Sequence, residues 1–276
     1  MRITILGSGT PMPDSQRAGP STLVESAGAS VLVDCGRGAL MRLVGAGGAV
    51  QNLTAVLITH LHSDHVTDLN DVITSRWALS LAPNPLRIFG PEGTKRVVER
   101  TMTMLEDDIG YRLEHHDDLT EPPQVEVIEV SDGPVDLGVA GLVVKAAPTE
   151  HAPVRPTVGY RFEAGGSVAS VVGDTIPCEG LDRLVDDAAV YVQTTVRRDQ
   201  IEAIGVPRMV DVLDYHSTIE QAAETATRNG VRTLVLTHLV PAPPPDSPAE
   251  AEWAALAAEG FNGEVVVARD LTVVEA

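Results

Sequence analysis

The sequence predicts an α/β fold in which helices cover sheets. Short runs rich in apolar and β-branched residues recur along the chain, each bounded by Gly, Pro or Asp, as β-strands commonly are. Helical periodicity lies between some of these runs, and hairpin-like strand runs occur as well. This order favours layers, with sheets inside and helices outside. Hydrophobic residues form 43% of the 276-residue chain, which is enough to fill such an interior.

The predicted elements succeed one another without a linker that would divide the chain. Strands are expected at residues 3–6, 30–33, 55–59, 86–89, 125–130, 142–146, 168–172, 233–237 and 264–268. Helices are expected at residues 38–45, 66–81, 93–105, 218–229 and 248–258. The helix at 218–229 has clear boundaries, since Ser217-Thr218-Ile219-Glu220 is a capping box and Gly230 is a stop. We therefore expect a single domain over residues 1–276.

Composition disfavours several classes of protein. The net charge of −19 makes broad, nonspecific nucleic-acid binding a poor candidate, because such binding depends on neutralising phosphates. No run approaches the ~20 apolar residues of a membrane-spanning helix, so no membrane partner is expected. The N-terminal run lacks the apolar core of a signal peptide. The two cysteines, Cys35 and Cys178, favour buried thiols over one disulfide, and we expect a cytoplasmic location.

Four metal-capable side chains lie within six residues. The segment His60-Leu61-His62-Ser63-Asp64-His65 directly follows an apolar run. Alternate side chains of an extended loop point the same way, so one pair can share a metal ion. A turn at Ser63 would let Asp64 and His65 reach a second ion. Imidazole with carboxylate suits zinc, iron or manganese, and closely packed imidazoles need a common partner, so the segment predicts a metal site.

Three further candidate ligands, His151, Asp174 and His238, each come at the end of an apolar strand run. Strand ends on one edge of a sheet converge, which is where α/β proteins place their sites. His216 precedes the capping box and therefore lies at a helix N-terminus, where anions are favoured. We interpret His216 as a substrate-phosphate contact or a proton donor, rather than as a metal ligand.

The remaining histidines and a set of basic residues have less specific interpretations. His115 and His116 lie in a polar string and are expected on a solvated face. The basic side chains either form a phosphate-binding patch or, as we prefer, are solvated helix charges. They are Arg76, Arg87, Lys95, Arg96, Arg100 and Arg112, with Arg197 and Arg198 farther along.

These motifs resemble the metallo-β-lactamase superfamily and, within it, the ribonuclease Z-like branch, which includes actinobacterial proteins labelled ribonuclease Z. The resemblance covers nearly the whole chain. It is carried by residues 60–65 and by Leu6-Gly7-Ser8-Gly9-Thr10-Pro11, Arg17-Ala18-Gly19-Pro20-Ser21-Thr22, Val33-Asp34-Cys35-Gly36, Gly173-Asp174-Thr175, His216-Ser217-Thr218 and Leu236-Thr237-His238. The fold that it implies is a four-layer αβ/βα sandwich, with the site at the rim between two sheets.

The resemblance also implies a hydrolase with two divalent metal ions, most often zinc, with manganese or iron as alternatives. The implied ligands are His60, His62 and His151 on one ion, Asp64, His65 and His238 on the other, and Asp174 on both. Two ions lower the pKa of a shared water, so a hydroxide would attack a phosphodiester near neutral pH. Asp64 would orient this nucleophile, and His216 would neutralise a phosphate oxygen or protonate the leaving group.

Two departures from the ribonuclease Z-like pattern bear on the substrate. Relatives that process transfer-RNA 3′ ends carry a long arm between the equivalents of His151 and Asp174, whereas residues 152–173 here are expected to form only two strands and a turn. The family's His-Glu-Ala-Thr element corresponds to Tyr191-Val192-Gln193-Thr194-Thr195, so His216 lacks its expected acidic partner. A phosphodiester, with RNA as one candidate, remains the expected substrate, and the resemblance suggests a homodimer.

Asp211 or Asp214 is the candidate substitute for the missing glutamate. The alternative function is an ester hydrolase of the arylsulfatase or lactonase type, because metal ligands alone do not choose between phosphorus, sulfur and carbonyl centres. A catalytically retired metal-binding protein is less favoured, since a scaffold has no need of a bridging Asp174.

Overall fold

The computed structural model describes residues 1–244 and 248–276. Within these residues the chain forms fourteen strands that build two seven-stranded sheets. The strands are β1 (Arg2–Gly7), β2 (Ser21–Ser26), β3 (Ala29–Val33), β4 (Ala55–Leu57), β5 (Leu86–Gly90), β6 (Val125–Glu129), β7 (Gly133–Pro134), β8 (Val143–Pro148), β9 (Val158–Ala164), β10 (Ser167–Val171), β11 (Val190–Val196), β12 (Thr233–Val240), β13 (Glu264–Val267) and β14 (Thr272–Glu275).

Each sheet is mixed, with antiparallel pairing in one half and parallel pairing in the other. The first sheet has the order β14-β1-β2-β3-β4-β5-β6, and its pairing is parallel from β3 to β6. The second has the order β13-β12-β11-β10-β9-β8-β7, and its pairing is parallel from β10 to β13. Because parallel strands run in the same direction, their carboxyl ends lie at the same edge of each sheet.

Ten α-helices lie in the described part of the chain and cover the outer faces of the sheets. They are α1 (Ala39–Gly45), α2 (Ser63–Val66), α3 (Leu69–Leu79), α4 (Thr94–Met104), α5 (Glu106–His115), α6 (Glu179–Val185), α7 (Arg198–Ile204), α8 (Pro207–Val210), α9 (Ile219–Arg228) and α10 (Pro248–Gly260). Short 3-10 helices occur at Val50–Asn52 and Asp211–Asp214. In the described residues, no helix is both long and apolar enough to cross a bilayer.

The structure corrects three details of the predicted elements. The helix expected at 66–81 begins only at Leu69, as α3, because the separate short helix α2 ends at Val66 and the chain turns at Thr67 and Asp68. Helices α5 to α8 were not predicted. The capping box of α9 is formed by Thr218 and Gln221 rather than by Ser217 and Glu220.

The core has three parts, which correspond to the three interfaces of a four-layer sandwich. Val31 and Val33 of β3 pack between the sheets against Tyr160 and Phe162 of β9. Leu32 points the other way and packs beneath helices α1, α3 and α4. A third cluster packs α6, α9 and α10 on the second sheet. Alternate residues of one strand thus face different layers, and the predicted layered α/β fold is confirmed.

The ends of several strands come together at the rim between the two sheets. Gly173, just after β10, has a φ of 66°, and a Cβ there would lie 2.5 Å from the Thr59 hydroxyl oxygen. Only glycine allows both this conformation and this close approach. The chain after β10 can therefore approach the chain after β4, which brings Asp174 towards His60.

Candidate metal centre

The segment after β4 presents its four metal-capable side chains in two pairs. His60 and His62 lie in extended backbone, and His60 Nε2 is 3.0 Å from His62 Nδ1. Helix α2 begins at Ser63, as the predicted turn requires, and places Asp64 and His65 on its first turn. His65 Nε2 lies 3.6 Å from Asp64 Oδ2. The local backbone therefore separates one pair of side chains from the other.

The strand-end residues complete the two groups. His151 Nε2 is 3.3 Å from His62 Nδ1, so His151 joins the first pair. His238 Nε2 is 3.3 Å from Asp64 Oδ2, so His238 joins the second. The structure thus brings together all seven residues predicted as ligands, in the groups His60, His62, His151, Asp174 and Asp64, His65, His238.

Asp174 lies between the two groups. Its Oδ2 is 3.6 Å from His60 Nε2 and 3.7 Å from His151 Nε2, and it is 3.5 Å from His65 Nε2 and 3.8 Å from His238 Nε2. Burial alone would raise the pKa of this carboxyl, but the surrounding imidazoles lower the pKa well below its usual value. Asp174 is therefore a carboxylate in contact with both groups.

Hydrogen bonds on the outer side of the cluster fix which ring nitrogen faces inward. An imidazole that donates from Nδ1 to an acceptor presents the lone pair of Nε2, the form needed for metal coordination. These outer contacts run from His65 to Asp34 Oδ2 (2.7 Å), from His151 to the Tyr215 carbonyl (2.7 Å) and from His60 to Thr59 Oγ1 (3.0 Å).

Asp34 contacts the cluster through His65 and was not among the predicted site residues. Its Oδ1 accepts a hydrogen bond from the Thr59 amide (2.8 Å), and the Thr59 hydroxyl donates to its Oδ2 (2.8 Å). Because that hydroxyl already donates to Asp34, its oxygen is free to accept from His60. Asp34 has a φ of 60°, a strained conformation also found at His238 (φ 47°). The signal was present, because Asp34 directly follows strand β3.

Burial and charge give the imidazoles different pKa values. Burial lowers the pKa of His60 well below its usual value, lowers that of His62, and lowers that of His151 to about 4. Burial alone would also lower the pKa of His65 and His238, but nearby carboxylates, chiefly Asp174, outweigh it and raise both. The first group therefore holds neutral rings near neutral pH, and protons compete more strongly for the second group.

His216 lies at the cluster rather than apart from it, and with Asp174 and His238 it forms a third group that could hold a metal ion, although it was not expected to be a ligand. Its Nε2 is 3.2 Å from Asp174 Oδ2, and its ring stacks near that of His238. Its Nδ1 lies 3.0 Å from the carbonyl oxygen of Val212, which takes the place of an acidic partner. Neither candidate substitute for the missing glutamate fills this role, since Asp211 and Asp214 are both exposed.

The segment that replaces the family's glutamate-bearing element has no carboxylate. Gln193 accepts a hydrogen bond from the Tyr191 hydroxyl and donates to the Thr194 carbonyl oxygen (2.7 Å). It is fully buried in β11. Positioning of His216 is therefore left to the backbone of the 3-10 helix Asp211–Asp214.

The donor set fits divalent metal ions. Ligand nitrogens at about 2.0–2.1 Å from a tetrahedral ion are roughly 3.3 Å apart, close to the 3.0 Å and 3.3 Å separations among His60, His62 and His151. Within the described residues, Asp174 Oδ1 and His65 Nε2 are buried and have no hydrogen-bond partner. Such orphaned polar atoms are costly unless a ligand satisfies them. The cluster therefore suggests divalent metal binding.

Other predicted features lie away from the cluster. His115 and His116 are exposed at the end of α5, as expected. Arg76 is not a solvated charge, because it is buried and donates to the carbonyl oxygens of Val50 and Leu53. Arg197 was also expected to be solvated but is buried and paired with Asp199. Both cysteines are free, and Cys35 is buried, but Cys178 is partly exposed, contrary to the expectation of two buried thiols. Residues between His151 and Asp174 form the hairpin β9–β10, as expected.

Comparison with known proteins places the chain in a family. Residues 29–239 match the family model described as the Beta-lactamase superfamily domain. A protein named Ribonuclease Z from Mycolicibacterium gilvum (strain PYR-GCK) is 50% identical over 98% of this chain and 94% of its own length.

Solved structures share the fold. The metallo-beta-lactamase fold protein YhfI from Bacillus subtilis is similar with a TM-score of 0.76 and 20% identity, covering 99% of both chains. Human tRNase Z, short form, is similar with a TM-score of 0.71 and 24% identity, covering 100% of this chain and 99% of its own. From its two sheets, its family match and its curated relative, this chain belongs to the metallo-β-lactamase superfamily, in the ribonuclease Z-like branch.

Proposed function

We propose that this chain is a two-metal-dependent phosphodiesterase that acts as one hydrolase domain over residues 1–276. The observation that carries the proposal is Asp174, whose Oδ2 lies within 3.8 Å of His60, His65, His151 and His238. A carboxylate shared by two groups of ligands is the arrangement that two adjacent ions need. Relatives named Ribonuclease Z support a phosphodiester as the substrate class.

We infer zinc as the resident metal, because borderline-soft imidazole donors outnumber carboxylates in the cluster. His60, His62 and His151 would hold one ion, Asp64, His65 and His238 the other, and Asp174 both. When bound, such ions activate water and neutralise charge that develops on a phosphate.

The protein's own groups orient the substrate and move protons. The Val212 carbonyl holds the proton of His216 on Nδ1, so Nε2 is the atom that can take up or release a proton. This Nε2 faces Asp174, where the scissile phosphate would bind, so it can protonate the departing oxygen. Asp64 Oδ2 lies 3.3 Å from His238 Nε2, so this carboxylate is placed to orient a water molecule at the second group.

RNA is the candidate substrate suggested by the relatives' name, and processing of RNA 3′ ends is one candidate reaction. The hairpin β9–β10 leaves no room for an arm between His151 and Asp174. We also propose a cytoplasmic location, with which two free thiols are consistent. A homodimer, expected from the resemblance, is checked by light scattering of the purified protein.

Metal analysis and a substrate panel test the proposed function. The purified protein is reconstituted with zinc, its metal content is measured, and turnover of bis(p-nitrophenyl) phosphate, an aryl sulfate and a lactone is compared. We expect two ions per chain and phosphodiester turnover alone. Turnover of the sulfate or lactone without the phosphodiester would indicate the alternative ester hydrolase. Fewer than one ion per chain after reconstitution would indicate a retired enzyme.

Two substitutions separate ligation from proton transfer. Asp174→Ala should lose metal and all activity, because Asp174 contacts both groups of ligands. His216→Ala should keep its metal and lose turnover, since the proposed role of His216 is at Nε2 during the reaction. His116→Ala, at an exposed histidine on the far end of α5, is the matched control. Loss of metal from His216→Ala would show that His216 is a ligand, a result that its closeness to Asp174 and His238 makes worth measuring.

A further inference from the structure

The chain between β11 and His216 forms a wall beside the metal centre. This wall, defined here as residues 198–215, consists of α7, α8, the 3-10 helix Asp211–Asp214 and Tyr215. Residues 202–208 are all exposed. At its other end the wall is fixed to the centre, because the carbonyl oxygens of Val212 and Tyr215 accept hydrogen bonds from His216 and His151. Its inner end is therefore held in place while its outer end projects into solvent.

The side chain of Tyr215 is the part of the wall nearest the cluster. Its ring centroid lies 5.2 Å from that of His151 and 4.7 Å from that of His216. The ring is only partly buried. Tyr215 thus presents a partly exposed aromatic ring next to His151 and His216.

The charge of the wall does not favour a polynucleotide track. Arg198 is paired with Glu202 (3.8 Å), and the preceding Arg197 is paired with Asp199 (2.7 Å). The wall, residues 198–215, carries two arginines against four acidic side chains, namely Asp199, Glu202, Asp211 and Asp214. Binding of an extended nucleic acid depends on uncompensated positive charge. An uncharged contact is the alternative next to the centre, and an aromatic ring can supply one by stacking.

We propose that Tyr215 is a stacking subsite for the nucleobase attached through its sugar to the scissile phosphate. The inference rests on the proposed phosphodiesterase function and specifies its substrate class as nucleoside phosphodiesters. A phosphate bound next to Asp174 and His216 Nε2 would lie near the Tyr215 ring, because this ring packs 4.7 Å from the His216 ring. The sugar would then span the distance between the phosphate and the stacked base. Base–aromatic stacking tolerates any base, because every base has a π-face.

The test compares two esters with the same leaving group. One is thymidine 5′-(p-nitrophenyl phosphate), which carries a base, and the other is methyl p-nitrophenyl phosphate, which does not. Tyr215→Ala should lower kcat/KM for the thymidine ester by about fivefold to 150-fold, the range that stacking supplies, mainly through KM. It should leave the methyl ester and the metal content nearly unchanged. Tyr215→Phe keeps the ring and should resemble the unmodified protein on both esters.

Tyr111→Ala is the matched control, because Tyr111 is 69% exposed on α5 and belongs to neither group of ligands. Equal losses on both esters in Tyr215→Ala would assign Tyr215 a merely structural role and overturn the proposal. No loss on either ester would overturn it as well. A loss in Tyr215→Phe equal to that in Tyr215→Ala would show that the hydroxyl, rather than the ring, recognises the substrate.

A binding measurement separates this inference from the proposed function. Calorimetric titration with thymidine 5′-monophosphate and with inorganic phosphate needs no turnover. We expect the nucleotide to bind at least about fivefold more tightly than phosphate and this preference to disappear in Tyr215→Ala. If the zinc-loaded protein hydrolyses neither ester, the phosphodiesterase proposal fails. Even then, tighter binding of the nucleotide than of phosphate, lost in Tyr215→Ala, would support the subsite. Equal binding of the two ligands would overturn the subsite, whatever the activity.

Discussion

Asp34→Asn changes one oxygen of a buried carboxylate to a nitrogen and should weaken one of the two proposed metal sites. The amide oxygen can still accept from the Thr59 backbone amide, which lies 2.8 Å from Asp34 Oδ1. The amide nitrogen then faces His65 Nδ1, where Oδ2 accepts at 2.7 Å in the unmodified protein. Two donors cannot face each other, so His65 must move its proton to Nε2. That nitrogen points towards Asp64 and Asp174, and once protonated it cannot bind a metal ion.

The size of the effect follows from the hydrogen bond that is lost. A hydrogen bond to a charged group contributes about 1.5–3 kcal/mol, and at about 1.4 kcal/mol for each factor of ten this is roughly 10- to 100-fold in affinity. Loss of an outer hydrogen-bond partner of a metal ligand typically costs the same factor. The Thr59 hydroxyl can still donate to the oxygen that remains, since it lies 3.1 Å from Asp34 Oδ1, so His60 keeps its acceptor. His151 donates to the Tyr215 carbonyl and is not touched by the change, so only one of the two ions should be affected.

The assay is a zinc titration of metal-stripped protein in competition with a chromophoric chelator, which gives both stoichiometry and affinity. Asp71→Asn, at an exposed aspartate of α3, is the control for loss of one negative charge. We expect one ion to bind normally and the other to bind about 10- to 100-fold more weakly in Asp34→Asn. Two ions bound with unchanged affinity would refute the argument that Asp34 sets the protonated nitrogen of His65.

Three further predictions concern the rest of the molecule. Burial raises the pKa of the Cys35 thiol well above its usual value, so at about pH 8 it stays protonated; mass spectrometry after mild alkylation should find only Cys178 modified, and modification of both would contradict this. Trp253→Ala should lower the free energy of unfolding in urea by about 3–5 kcal/mol, and Trp253→Phe by clearly less, because Trp253 is 0% exposed; equal losses would be inconsistent with this packing. In Gly36→Ala the new methyl would lie 2.3 Å from the Asp64 carbonyl oxygen, so metal content and melting temperature should fall together, and an unchanged metal content would argue against this contact.

The sequence was sufficient to predict which seven side chains the fold brings together, because their spacing and position carry the signal. Four of them lie within six residues, at His60, His62, Asp64 and His65. The other three, His151, Asp174 and His238, each come at the end of a strand run. The layered fold was also predictable, since apolar runs and helical periodicity follow local rules. These signals depend only on neighbouring residues, which is why a single sequence is enough to find them.

Other features could not be predicted because they depend on contacts made by backbone atoms. The partner of His216 is the carbonyl oxygen of Val212, and every residue type has such an oxygen, so no sequence pattern marks it. The same holds for the Tyr215 carbonyl that accepts from His151. Arg76 was misjudged for a related reason, since its charge is satisfied by carbonyl oxygens that only the folded chain brings together. Asp34 is different, because it directly follows the strand run 30–33 and so carries the same sequence signal as His151, Asp174 and His238.

The contact between Asp64 and His238, which joins the two sheets, also determines at which stage of folding a metal ion can bind. Asp64 and His238 are 174 positions apart in the chain, yet their side chains are in contact. Contacts of such long range form late, because the chain must first lose the entropy of closing a large loop. Neither sheet alone has a complete set of ligands. We therefore expect metal uptake to follow the packing of the two sheets against each other. Metal binding would then stabilise a nearly folded chain rather than initiate folding.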